Sequence, residues 1–386
     1  VDARSLALVR ADFRGVMEAP GGPERLTRAF YGHLFAQDPR LRDLFPPTMD
    51  MQPKRLTTAV QFVLEHLDDF DRAQRFLEQL ARDHRKYGVE ADHYDMAGLA
   101  LLGALRTYHG NRWNRELDEG WRDVTIVISA AMAIGANQDK SQPYWDATVV
   151  GHRRVLDDLA IVRLQADSPI PFKAGQYVPI AVPQRPNMWR YLSPAIPANP
   201  YGEIEFHVRR VSGGWVSPAI VNDTAVGDRW KIAGPLGGLQ VDRESGRDVL
   251  MIGSGTGIAP LRAQLIEMSQ RGINPRVHFF IGGRFPGDLY DVNNMWQLSQ
   301  SNPWLTIVPV CEEPENPWWY PPTPSEPPPG MHRRLTGNLG AVVTSFGAWA
   351  DRQIQIAGSA KMIDDTRRAL IRAGTPSDII AADPVG

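Results

Sequence analysis

Disulfide chemistry is all but absent from this sequence: Cys311 is the single cysteine among 386 residues. One thiol makes neither an intramolecular disulfide nor a multi-cysteine metal site, and such usage fits a reducing compartment. An excess of one charge is lacking as well. Lys and Arg total 42 against 44 Asp and Glu, a formal net charge of −2, which excludes a broad basic field for nucleic acid and leaves small molecules as the expected partners. Long hydrophobic runs are missing: no stretch of about 18 apolar residues occurs, and the leading VDARSLALVRADFRG carries charges every few positions instead of the apolar centre of a signal peptide. A cytoplasmic protein with no membrane span is expected. Internal repeats are also absent. Proline is concentrated in EPENPWWYPPTPSEPPPG (313–330), where it excludes helix and disfavours strand, so this segment reads as a stiff inserted loop.

What remains divides into three textures. Residues 1–137 carry apolar residues at three and four spacing in ERLTRAFYGHLF, KRLTTAVQFVLEHL, DRAQRFLEQLARDH, YDMAGLALLGALRTYH and WRDVTIVISAAMAIG, separated by breakers such as APGGP and FPPTMDMQP. An all-α domain is predicted there. After a short polar linker ending at Pro143, residues 144–240 alternate as short strands between glycine and proline turns, which suggests a small antiparallel β-barrel. From 247 to 386, apolar strands (DVLMIGSG, RVHFFIGG, LTIVPVC, QIQIAGSA) alternate with helical stretches, the pattern of a doubly wound α/β domain.

In the third domain GSGTGIAP follows the strand VLMI and precedes the helical LRAQLIEM. Gly253, Gly255 and Gly257, with Thr256, allow a diphosphate close to the backbone, and a helix beginning near Pro260 points amides at the same anion. A glycine-rich turn alone is also how any tight strand-to-helix connection is built. With Pro260 where a third glycine would stand, the pattern resembles the pyridine-nucleotide domain of the ferredoxin-reductase superfamily. GGRFPGDLYD, containing Arg284, is similar to the family's G-x-R stretch. AGSAKM, containing Gly358, occupies the place of its Cys-Gly-Pro-x-x-Met, with Ala357 and Ser359 replacing the Cys and Pro.

In the second domain FKAGQYV, ending near Tyr177, and RYLSPA lie on strands. The same superfamily binds flavin with an Arg-x-Tyr-Ser strand, where the arginine fork suits phosphate oxygens. The resemblance implies flavin contacts for Arg190 and Ser193. Tyr191 is displaced by one residue, which on a strand turns its side chain to the other face, toward the adenine side or into the core. GGWVSPAI resembles the family's phosphate-binding stretch, implicating Gly214 and Ser217 at a short helix N-terminus, and AGPLGGL resembles the turn that closes the barrel. The chain ends IIAADPVG, without the terminal aromatic residue common in the superfamily.

The first domain contains HRKYGVEADHY (84–94). A lone histidine on an apolar helix face is more often a structural residue than a ligand. Together with Tyr31, Phe45, Gln52 and Leu56 upstream, however, the stretch resembles bacterial haemoglobins and flavohaemoglobins. That resemblance makes His84 the proximal iron ligand, Tyr31 and Gln52 distal residues facing the ligand, Phe45 a packing residue on the porphyrin, Leu56 a wall of the pocket, and Tyr94 a member of the proximal network. His33, His66, His93 and His109 lack a matching constellation. The family's proximal glutamate would fall near Ala136, where there is no acid.

The order globin, flavin barrel, nicotinamide domain resembles flavohaemoglobin, with departures that point to a divergent second class. The implied cofactors are haem b, FAD and NADH or NADPH, Arg284 being compatible with either nucleotide. The implied activity is nitric oxide dioxygenation: NAD(P)H reduces flavin, flavin reduces haem iron, and dioxygen and nitric oxide give nitrate. Two alternatives stay open, a haem and flavin reductase or oxidase with another electron donor, and a non-catalytic haemoprotein that binds or senses dioxygen or nitric oxide.

Overall fold

The computed structural model describes residues 2–46, 52–138, 141–320 and 327–383, the side chains of 52–54 excepted. It forms two compact units, Val1–Pro143 and Tyr144–Gly386.

The first unit is helical: α1 (Ala3–Glu18), α2 (Gly22–Gln37), α3 (Gln52–His66), α4 (Phe70–His84), α5 (Ala91–His109) and α6 (Arg115–Gln138). α1 was not among the helices expected from periodicity, although its apolar residues recur at three and four spacing. Its register is set by Asp2, whose carboxylate accepts from the amides of Arg4 and Ser5, and Leu6, Val9, Phe13 and Val16 form its buried face. α4 is likewise capped by Asp69 and ends in a short turn, Arg85–Tyr87, closed by Gly88 at φ +83°. α5 begins where the Glu90 amide donates to Nδ1 of His93, which gives that histidine a capping task. The helices share a core around Trp121, Phe13 and Leu26, continued by Val63, Leu77, Ala81 and Tyr94 between α3, α4, α5 and α6.

The second unit has two layers of sheet. β1 (Tyr144–Leu156), β2 (Leu159–Ala166), β3 (Val178–Ala181), β4 (Arg190–Leu192), β5 (Glu203–Arg209) and β6 (Arg229–Ala233) form a six-stranded antiparallel sheet in the order β4-β3-β6-β1-β2-β5. A bridge between Pro194, just past β4, and Phe206 on β5 joins the two edges and nearly closes the barrel. Its interior is apolar, with Phe206 and Trp230 stacked at 6.3 Å.

The remaining strands are β7 (Val249–Ser254), β8 (Val277–Gly283), β9 (Leu305–Cys311), β10 (Leu335–Thr336), β11 (Gln353–Ala357) and β12 (Ile380–Ala381). They form a parallel sheet in the order β10-β9-β8-β7-β11-β12. α7 (Ile258–Ser269) and α8 (Val292–Gln300) pack on one face, α9 (Leu339–Thr344) and α10 (Ala360–Arg372) on the other. Strand order reverses at β7, so the crevice between β7 and β11 at the carboxyl edge is where a doubly wound sheet takes a ligand.

Candidate functional site

In the helical unit, Nδ1 of His84 lies 2.6 Å from the carbonyl oxygen of Leu80. A carbonyl only accepts, so Nδ1 carries the proton and Nε2 keeps its lone pair. Among the described residues Nε2 has no hydrogen-bond partner. Burial holds the imidazole pKa below its ordinary value, keeping the ring in the neutral form that ligates metal. Neighbouring Asp83 is taken up by the buried Lys86, 2.7 Å away. No carboxylate among the described residues hydrogen-bonds His84, on which the Asp83 charge acts without contact, and Ala136 packs into the cluster around Tyr94. Tyr94 contacts not the histidine ring but the backbone of α4, its hydroxyl donating to the Ala81 carbonyl at 3.3 Å. It therefore acts on the placement of the helix that carries His84, and its buried hydroxyl is pushed up to about 12.

Tyr31, on α2, sits in an aromatic wall, edge-on to Phe45 at 5.2 Å and stacked with Phe35 at 5.7 Å, with Leu56 beside the same cluster. Burial raises the Tyr31 pKa well above the ordinary phenol range, so its hydroxyl remains a donor. Arg55 acts electrostatically on both Tyr31 and Lys86, which links the α2 side of the unit to the end of α4. Gln52 begins α3, and its side chain lies outside the described residues. His33 is held at 2.9 Å from the Thr107 hydroxyl and His66 bonds the Phe62 carbonyl, so both have structural tasks. His109 lies 3.1 Å from Asp12, which also accepts from Trp121. A neutral imidazole with one free nitrogen, set in a unit with an apolar aromatic wall and the cation Arg55, fits a haem, whose iron His84 would hold.

In the second unit a cleft of about 620 Å³ opens at the β7/β11 switch point. This is within the range of cofactor sites. Tyr177, Tyr191, Leu192 and Ser193 line it from the barrel, and Gly255, Thr256, Gly257, Pro260, Arg284 and Gly358 from the parallel sheet. The three glycines of the turn divide the work. Gly255, at φ +54°, takes the left-handed conformation, and a Cβ there would meet only the Arg209 guanidinium, at 3.9 Å. A Cβ at Gly253 would press on Ile258 and Leu261 at 3.1 Å, and one at Gly257 would overlap Gly358. Gly253 thus serves strand-to-helix packing and does not line the cleft, while Gly257 lets the loops after β7 and β11 touch.

On the barrel side Tyr191 faces the cleft, edge-on to Tyr177 at 5.4 Å, so it does not fill core. Leu192 takes the register opposite Val178 and packs against the barrel interior. Arg190 stands apart: it is exposed, its guanidinium donates to the Trp189 carbonyl, and it is not among the residues lining the cleft. Gly214 and Ser217 also lie off the cleft lining, because the Ser217 hydroxyl accepts the Val211 amide at 3.1 Å and closes its own loop.

Among the cleft residues that escaped the sequence reading are Arg209 and Asp383. Arg209, at the end of β5, points its guanidinium toward Gly255 and is paired with Asp288 at 2.7 Å and Asp158 at 3.0 Å. It supplies the cation beside the glycine turn. Its signal was the RRV at the end of a strand, but which arginine turns inward depends on the barrel's packing against the parallel sheet. Asp383 accepts the Gly238 amide at 3.1 Å and lines the cleft near Tyr177, in the chain end where an aromatic residue was noted as lacking.

Comparison with known proteins follows the same division. Residues 28–132 match the globin family, 146–241 the oxidoreductase FAD-binding domain, and 251–324 the oxidoreductase NAD-binding domain. The ferredoxin–NAD(P)+ reductase CarAd of Metapseudomonas resinovorans is 30% identical over 279 residues, covering 70% of this chain and 80% of that protein. The flavohemoprotein of Bordetella pertussis is 28% identical over 278 residues, 66% of this chain and 69% of that one. The flavohemoglobin of Malassezia yamatoensis, solved with bound FAD and heme, matches 100% of this chain and 99% of that one at TM-score 0.75 and 16% identity, a likeness of fold.

The chain has the domain order of the flavohaemoglobins. A globin is joined to a ferredoxin-reductase-type module, and haem, FAD and a nicotinamide nucleotide are the cofactors of this architecture. The chain is an NAD(P)H oxidoreductase. No helix among its described residues is long and apolar enough to cross a membrane.

Proposed function

We infer that this protein is a nitric oxide dioxygenase driven by NADH or NADPH. The observation that carries the reading is the state of His84, neutral, with its Nδ1–H donated to the Leu80 carbonyl and Nε2 free. When bound, the flavin divides a two-electron donor into single electrons and the haem supplies ligand and one-electron chemistry at iron. His84 would hold the iron, and Arg55 a haem carboxylate. Tyr31, protonated across the physiological range, would donate a hydrogen bond toward a ligand that gathers negative charge, a distal role that the family resemblance also implies for Gln52. Phe45 and Leu56 would keep water from that face. Ser193, Tyr177 and Tyr191 would orient the flavin ring. Arg190 would exchange the Trp189 carbonyl for the flavin diphosphate, and Arg209 with the Gly255 turn would hold the nucleotide. Gly214 and Ser217 would shape the loop that flanks them.

A second reading, a haem and flavin oxidoreductase fed by another donor, is favoured by Asp383 near Tyr177 and by a carbonyl, not a carboxylate, behind His84. A carbonyl polarises the imidazole less and gives a less basic ligand. The deciding experiment supplies purified protein with NADH, dioxygen and nitric oxide and follows all three with nitrate. Consumption of nitric oxide with matching nitrate supports dioxygenation. NADH oxidation that ignores nitric oxide, or none at all, supports the second reading.

A further inference from the structure

The proline-rich insert is tied to the nucleotide cleft at two points. Within it, Pro317–Tyr320 forms a turn closed by the Tyr320 amide donating to the Pro317 carbonyl at 3.0 Å. The turn leaves Trp318 91% exposed and Trp319 58% exposed, and sends the Tyr320 ring inward. That ring rests on Gly287, where any Cβ would overlap it, and lies 5.8 Å from Phe285. Its hydroxyl donates to Oδ1 of Asp288 at 2.8 Å. Asn316 adds a second tie, its Oδ1 accepting the Gly287 amide at 2.7 Å.

Asp288 is a hub. The same Oδ1 accepts from Arg209 at 2.7 Å, and Oδ2 accepts the amides of Arg284 at 3.1 Å and Phe285 at 2.9 Å. One carboxylate therefore orders the loop that carries Arg284 and the guanidinium beside the Gly255 turn. A carboxylate that shares its charge among several donors binds any one of them less tightly. With Tyr320 on Oδ1, Asp288 fixes the direction of Arg209 yet neutralises it less.

We propose that Tyr320 is a positioning residue for the nucleotide diphosphate, acting through Asp288 on Arg209 and on the Arg284 loop, so that the insert is a strap that presets the cleft. The proposal rests on the nucleotide reading above. It makes no use of the exposed tryptophans.

The test uses full-length flavin-loaded protein, titrated with ADP-ribose and with AMP by flavin difference absorbance, and assayed for NADH-dependent ferricyanide reduction. Tyr320→Phe keeps the ring on Gly287 and removes only the hydroxyl. It should weaken ADP-ribose about threefold to tenfold and AMP less, and raise KM for NADH without lowering kcat. Asn316→Ala, which frees Gly287 alone, should give a smaller change in the same direction. Unchanged ADP-ribose affinity in both variants overturns the strap. Equal loss for both ligands together with a lowered melting temperature also overturns it, since the hydroxyl would then be structural. If the unaltered protein binds neither ADP-ribose nor NADH, the nucleotide reading fails first and the strap with it.

Discussion

The His84 imidazole and the Leu80 carbonyl, one helical turn apart on α4, are joined at 2.6 Å, and this single bond decides which nitrogen is free. Removing the ring removes the ligand. His84→Ala should lose stable haem while keeping flavin, because the two cofactor sites lie in different units. The ratio of Soret to flavin absorbance in purified protein checks this, and a normal haem spectrum would refute the assignment.

Tyr31 is held as a donor by burial, so Tyr31→Phe removes a hydrogen bond without altering the packing on Phe35 and Phe45. Dioxygen should leave the reduced protein roughly tenfold faster, the scale of one hydrogen bond to a charged acceptor. Stopped-flow displacement by carbon monoxide measures the rate. An unchanged rate would mean the hydroxyl is aimed elsewhere.

Arg209 is the cation beside Gly255, and Arg209→Gln should raise KM for NADH roughly tenfold or more with flavin content little changed. Steady-state ferricyanide reduction and flavin release by heating separate the two quantities. Loss of flavin with unaltered KM would place Arg209 on the other cofactor.

How far the sequence carried this picture depends on the kind of signal. Helices α2 to α6 were legible because their apolar residues recur at three and four spacing, whereas α1 went unread although Leu6, Val9, Phe13 and Val16 keep the same spacing, and the capping carboxylate of Asp2 sets its start. His84 was proposed from the resemblance of the residues around it, and the carbonyl behind it followed only from helix geometry. The glycine turn was read as a unit, but the separate tasks of Gly253, Gly255 and Gly257 depend on what each Cβ would meet across the fold. Ser217 was assigned to phosphate from its place before a short helix, while its hydroxyl closes a loop onto Val211. Arg209 was missed because its partners, Asp158 and Asp288, are far away in sequence.

Glu205 offers a test by acid. It is buried with Arg163 at 2.7 Å, His207 at 3.1 Å and Arg262 at 3.2 Å. Burial alone would raise its pKa, but the bonds from His207 and Arg163 and the charge of Arg262 outweigh it and hold the carboxyl down at about 2, against an ordinary 4.5. A depressed folded pKa contributes stability that is complete above the unfolded value and lost as pH falls toward the folded one. The Tyr144–Gly386 unit should therefore lose stability between pH 4.5 and about 2 on account of this residue. Glu205→Gln should be less stable at pH 7 by about 3 kcal/mol and show a shallower fall across that window. Urea unfolding at stepped pH, compared between the two proteins, checks the sign. Parallel curves would show that the group carries no linkage.

The central claim is that nicotinamide nucleotide delivers electrons through flavin to haem. An anaerobic titration of purified protein with NADH, following the flavin band and the Soret band together, tests it most directly. The account predicts that flavin bleaches and that haem then turns ferrous with the same donor. Both cofactors present and both left oxidised by excess NADH would contradict it.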